Sequence, residues 1–138
     1  MKTLRFFTGI VFVLIMVFAA YGLEDRGGCQ DHPMFTRMSN FYIERCHEEK
    51  FAQAKFRDEK GKEIKVEGRL YKIDYAIKAG FTAPSALQVL RNYANAIREI
   101  GGRTVYQDEY EIWLKLDKGG KTFWVYVDAW HGGGKGET

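Results

Sequence analysis

Between Pro84 and Gly102 the chain carries a run in which Ala86, Leu90, Tyr93, Ala94, Ile97 and Ile100 recur at three- and four-residue steps. On an α-helix these side chains share one stripe, while Arg91, Asn95, Arg98 and Glu99 fall largely off it. Pro84 suits the first helical position, because its missing N–H would lack an intrahelical partner there, and Ser85 reads as a first-turn residue. Gly101-Gly102 ends the run, the first glycine serving as a left-handed cap. Glycines at a helix end do not form a phosphate loop, since anions are bound at helix starts. Beyond residue 22 this is the one long helix. A single amphipathic helix covers one face of a sheet, so the constraint it sets is a two-layer α+β domain.

The rest of the chain reads as strands. Phe41–Cys46 is a first strand and Phe51–Arg57 a second, with Ala52, Ala54 and Phe56 on one parity. Asp58-Glu59-Lys60-Gly61-Lys62 is a polar turn. A long strand follows, in which Ile64, Val66 and Leu70 share one parity and Ile73, Tyr75 and Ile77 the other; a switch of buried parity places a bulge or bend near Leu70-Tyr71-Lys72. After the helix come Arg103–Gln107, then Tyr110–Leu116 with Ile112, Leu114 and Leu116 inward. Asp117-Lys118-Gly119-Gly120-Lys121 makes a tight hairpin, and Thr122–Trp130 alternates Phe123, Val125, Val127 and Ala129 against Trp124, Tyr126, Asp128 and Trp130. The expected order is β-β-β-α-β-β-β, an antiparallel sheet of five to six strands with one helix on one face.

The first 22 residues read as a cleaved export signal. Lys2 and Arg5 form a basic start, Phe6–Ala20 is uncharged and apolar, and Ala20-Tyr21-Gly22 puts small residues at the −3 and −1 positions of a cleavage site. The apolar run through Tyr21 would make about 24 Å of helix, short of the roughly 30 Å hydrocarbon core. The organisation expected is therefore a signal at 1–22, a flexible leader at 23–30, a single domain at 31–131 and a disordered Gly-rich tail at 132–138. The chain has 21 Lys and Arg against 18 Asp and Glu. Removing Lys2 and Arg5 leaves 19 cations and a net charge of +1, which gives no electrostatic footprint for nucleic acid. Contact with a membrane is expected only in transit, through the signal.

Cys29 and Cys46 are the only cysteines. In an oxidising compartment they form a disulfide; free thiols and a metal site are the alternatives. Cys29 and His32 have C-x2-H spacing and His47 follows Cys46, a set that would suit zinc. Adjacent residues on a strand point to opposite faces, however, so Cys46 and His47 would both ligate only if the strand breaks. Asp128 and His131 bracket Trp130 as a carboxylate–imidazole pair, but neither Ser39 nor Ser85 lies in a strand–turn–helix elbow. Glu67, Asp74, Asp108, Glu109 and Glu111 show no spacing of a paired acid and base. No cofactor, metal or catalytic set is assigned.

The aromatic parity of the last strand is the candidate binding feature. Trp124, Tyr126 and Trp130 share a sheet face, with Trp113 and Tyr110 on the neighbouring strand. With the helix on the opposite face they form either an exposed platform for a partner, a glycan or lipid headgroups, or the second half of the core.

Four ordered stretches carry a resemblance: Asp31-His32-Pro33 with Arg37-Met38 and Tyr42-Ile43; Val66-Glu67-Gly68-Arg69 with Tyr71 and Tyr75; Pro84-Ser85 with Leu87, Arg91-Asn92-Tyr93, Ala96 and Gly101-Gly102; and Trp124-Val125-Tyr126-Val127. Over about residues 31–131 the chain resembles a bacterial envelope domain of unknown function that, in relatives, often precedes an OmpA-like peptidoglycan-binding domain. The OmpA-like domain is absent here, so its ligand-gripping residues are not carried over. Where relatives continue into a further apolar strand, this chain has Gly132-Gly133-Gly134-Lys135-Gly136, which would leave an open sheet edge. The resemblance implies an exported binding or assembly module, periplasmic or outer-membrane-associated, whose partner is an envelope protein or a cell-wall glycan. The alternative is a small envelope enzyme, a hydrolase or a thiol- or metal-dependent catalyst, using His32, Cys46 and His47 or Asp128 and His131.

Overall fold

The computed structural model describes residues 24–129. The proposed signal, Trp130, His131 and the Gly-rich tail lie outside the described residues. The architecture is mixed α+β, with two antiparallel sheets of two and three strands and one helix. Its elements are β1 (Phe41–Arg57), β2 (Glu63–Ile77), α1 (Ala86–Glu99), β3 (Arg103–Gln107), β4 (Glu111–Lys118) and β5 (Lys121–Asp128).

Three expectations are corrected. Among the described residues the strand count is five, within the expected five to six, but the order is β-β-α-β-β-β, because Phe41–Cys46 and Phe51–Arg57 are joined by an extended His47-Glu48-Glu49-Lys50 into one strand of 17 residues. The charged link broke the apolar alternation, but most of β1 from Glu44 onward faces solvent, where alternation is not required. Nor is there one sheet: β1 pairs only with β2, and β3-β4-β5 forms a separate meander. The bulge expected at Leu70-Tyr71-Lys72 does not form there, since these residues pair in continuous register with Glu49, Glu48 and His47. The register between β1 and β2 shifts between the pairs Glu49↔Leu70 and Ala52↔Gly68, leaving Lys50 and Phe51 as a bulge.

The turns follow from their residues. Asp58 closes the β1–β2 loop: its Oδ1 accepts from the N–H groups of Lys60 and Lys62, both at 2.9 Å, and Gly61 supplies the left-handed φ of 76°. In the β4–β5 turn Gly119 and Gly120 both have positive φ, the condition for a two-residue hairpin matched to strand twist.

Helix α1 starts at Ala86, two residues later than Pro84 suggests. Ser85 is the N-cap, and its hydroxyl accepts from the N–H of Gln88 at 3.2 Å. Its C-terminus is a Schellman arrangement, with Gly102 N–H donating to Ile97 C=O at 2.8 Å and Gly101 N–H to Arg98 C=O at 3.0 Å. A Cβ on Gly102 would meet Ile97 Cγ1 and the Lys115 carbonyl below 3 Å, so this glycine lets the helix end close onto β4.

The core lies between α1 and one face of the meander. Val89, Leu90 and Ile97 meet Ile112, Leu114, Leu116 and Ala129, with Phe123, Val125 and Val127 beside them. This is the inward parity anticipated for β4 and β5. Met34, Phe35 and Met38, from the segment before β1, pack against the same core, and the Phe35 ring meets Tyr93 edge-on at 5.5 Å.

The stretch 24–30, expected to be a flexible leader, carries specific contacts. Asp25 accepts from the Ile43 N–H at 2.8 Å, and Arg26 N–H donates to the Ile43 carbonyl at 2.9 Å. Cys29 and Cys46 are joined as a disulfide. Arg37 grips Asp25 and Asp31 together, and the Tyr75 hydroxyl donates to Asp31 at 2.6 Å. The base of the β1–β2 ribbon is thereby tied to the α1 layer.

Candidate functional site

The face of the meander turned away from α1 is aromatic. Antiparallel partners share a face, and the register pairs Tyr106 with Trp113, Trp113 with Tyr126 and Lys115 with Trp124. The tip of the β1–β2 ribbon docks there. The Arg57 guanidinium sits 5.1 Å from the Trp113 ring centroid and 5.7 Å from that of Tyr106. Phe56 lies 5.5 Å from Trp124, centroid to centroid. Glu59, in the turn, accepts from Arg103 at 2.7 Å, and this contact holds the Glu59 carboxyl below its usual range.

The members of the aromatic face differ in exposure. Trp113 is only 5% exposed, so it is a second, smaller core and not part of an open platform. Tyr126 stacks on it at 5.2 Å and 34°, yet remains 43% exposed. Its hydroxyl donates to Glu111; burial first, and then this bond, push the phenol well above its ordinary range. Trp124 is half-buried under Phe56, with the Lys115 ammonium 5.3 Å from its centroid. Trp130 lies outside the described residues. Tyr110 precedes β4 and is exposed apart from this group.

A cleft of about 240 Å³ opens where the ribbon tip meets this face, lined by Lys55, Phe56, Arg57, Glu63, Trp113 and Tyr126. Glu63 is the cross-strand neighbour of Arg57, but it pairs with Lys55 at 3.1 Å instead. Arg57 gives one N–H to the Gly61 carbonyl at 2.7 Å, and no ion pair among the described residues includes it. The site thus combines a stacked guanidinium, an exposed phenol and two aromatic walls. Trp113 and Tyr126 were legible as candidates from strand parity. Arg57 and Phe56 were not, because nothing local in a polar hairpin tip says which surface it will touch, and Tyr106 lies on the short β3, for which no facing parity was read.

A second depression, of about 360 Å³, is lined by Asp108, Glu109, Tyr110, Glu111 and Asp128. The scattered carboxylates therefore gather in part, although Asp108 spends its Oδ1 on the N–H groups of Tyr110 and Glu111.

The thiol and metal candidates are each engaged in other contacts. Cys46 is consumed in the disulfide with Cys29. His47 pairs with Glu49 at 2.7 Å on the exposed ribbon, whereas His32 lies edge-on to Tyr71, with its Nδ1 accepting from the Met34 N–H. Among the described residues no group of three or more His, Cys, Asp or Glu is arranged to hold a metal ion. Asp128 pairs in register with Glu111, and His131 lies outside the described residues. No described helix is long and apolar enough to cross a membrane, and the disulfide is compatible with export. No family model, curated protein or solved structure matches this chain.

Proposed function

We propose that this chain is an exported, non-catalytic binding or assembly module of the bacterial cell envelope, in the periplasm or at the outer membrane, and that the ribbon-tip cleft is its contact site. The observation that carries the reading is the docking of Arg57 on Trp113 beside the exposed ring of Tyr126. Aromatic and arginine side chains are the residue types that dominate recognition surfaces. The cationic start and apolar run of the first 22 residues, the disulfide and the ordered resemblance to an envelope domain support the location.

The test is co-sedimentation of the exported, oxidised chain with purified peptidoglycan sacculi, alongside capture on immobilised outer-membrane proteins. Enrichment with either, diminished by Tyr126→Ala, is the expected result. Absence of enrichment with both would reject the reading.

A further inference from the structure

Resting on that binding-module reading, we infer that the ribbon-tip cleft takes a carboxylate-bearing sugar ring of the uronic-acid type. Its lining supplies three aromatic rings, two cations and one carboxylate, and no aliphatic side chain. A pocket for an apolar side chain would be walled by Leu, Ile, Val or Met. Rings alternating with hydrogen-bonding charges suit a ligand with apolar C–H faces and polar edges, as a pyranose has. The volume, about 240 Å³, lies below the roughly 300–1,000 Å³ of pockets that enclose drug-sized ligands. It fits a single ring better than an oligomer.

The charge requirement comes from Arg57. Its guanidinium is held in place by the rings of Trp113 and Tyr106 and by the Gly61 carbonyl, so its orientation is set before any ligand arrives. The nearest carboxylate on the facing strand, Glu63, is turned to Lys55. A half-buried guanidinium without a carboxylate partner, fixed in a cleft, presents its remaining N–H fork to a planar anion. A sugar carboxylate meets that fork while the ring lies against the exposed face of Tyr126.

The experiment is NMR titration of the exported, oxidised chain with sodium glucuronate, glucose, sodium acetate and inorganic phosphate in turn. Glucuronate should give saturable shifts at the Trp113 indole, the Tyr126 ring and the Arg57 side chain. Glucose and acetate should each bind at least tenfold more weakly, since each offers only half of the ligand. Arg57→Lys, which keeps charge but loses the fork, should weaken glucuronate at least tenfold. Because Arg57 also packs on Trp113, Tyr126→Ala and Lys55→Gln, at exposed positions, serve as second variants; the first should abolish the difference between glucuronate and acetate. Acetate or phosphate binding as tightly as glucuronate would overturn the proposal, as would glucuronate causing no shifts. If sacculi or outer-membrane proteins are nevertheless retained, the sugar-acid assignment falls alone; if neither is retained, the binding-module reading falls with it.

Discussion

Gly61 and Tyr106 fit together with no room between them: a Cβ on Gly61 would stand 2.8 Å from Cε2 of the Tyr106 ring, at a backbone φ of 76°. The ribbon tip can therefore lie flat on the aromatic face only if residue 61 has no side chain. Gly61→Ala should destabilise the domain by about 2 kcal/mol, from left-handed strain and from lifting the tip. Urea unfolding followed by tryptophan fluorescence measures this. The Gly68→Ala control meets nothing within 4 Å and should stay within about 0.5 kcal/mol of the parent.

The Cys29–Cys46 disulfide spans 17 residues of sequence. Reducing it, or replacing both cysteines by serine, should cost about 3 kcal/mol. Thermal melts with and without dithiothreitol check the magnitude. Alkylation before reduction should add no mass, and alkylation afterwards should label two thiols.

Acid should weaken the domain in two steps. Burial lowers the pKa of His32 below 6.5, and its Nδ1 must stay unprotonated to accept from Met34. The folded pKa lies below the unfolded one, so this contribution is complete above pH 6.5 and fades as pH falls through the lowered value. Asp25 is held at about 2, against an ordinary 3.8, chiefly by the Arg37 side chain and then by the Ile43 N–H. Its contribution is complete above pH 3.8 and is lost as pH falls toward 2. Melting temperature against pH, with the His32 ring followed by NMR, should resolve both steps, and Asp25→Asn should remove the lower one.

Two apolar residues of similar bulk should behave oppositely. Leu114 is fully buried beneath α1, and Leu114→Ala should cost about 2–5 kcal/mol. Phe51 is 71% exposed on the ribbon bulge, and Phe51→Ala should change stability by no more than about 0.5 kcal/mol. Chemical denaturation of both variants tests the contrast.

What was legible in the chain is what local chemistry determines. The stripe of α1 and its glycine cap, the glycine turn before β5 and the inward parity of Ile112, Leu114 and Leu116 follow from spacing alone. The joining of two segments into β1 was hidden, because His47–Lys50 shows no burial pattern when both ribbon faces are wet. The division into two sheets was hidden for a related reason: alternation tells which side of a strand is apolar but not which strand it pairs with. The aromatic face was visible in Trp113, Trp124 and Tyr126, whereas its cover was not. That cover is set by Gly61, whose role depends on a ring 45 positions later in the chain.

Every strand pair in this fold joins neighbours in sequence: β1 with β2, β3 with β4 and β4 with β5. Each pairing closes a short loop, so little chain entropy must be lost before the first contacts form. The ribbon and the meander can each assemble as a local unit, leaving the seating of Arg57 on Trp113 as a step between preformed parts. Amide hydrogen exchange should then divide the molecule along that seam, with the meander and α1 opening as one unit and the middle of the ribbon exchanging independently.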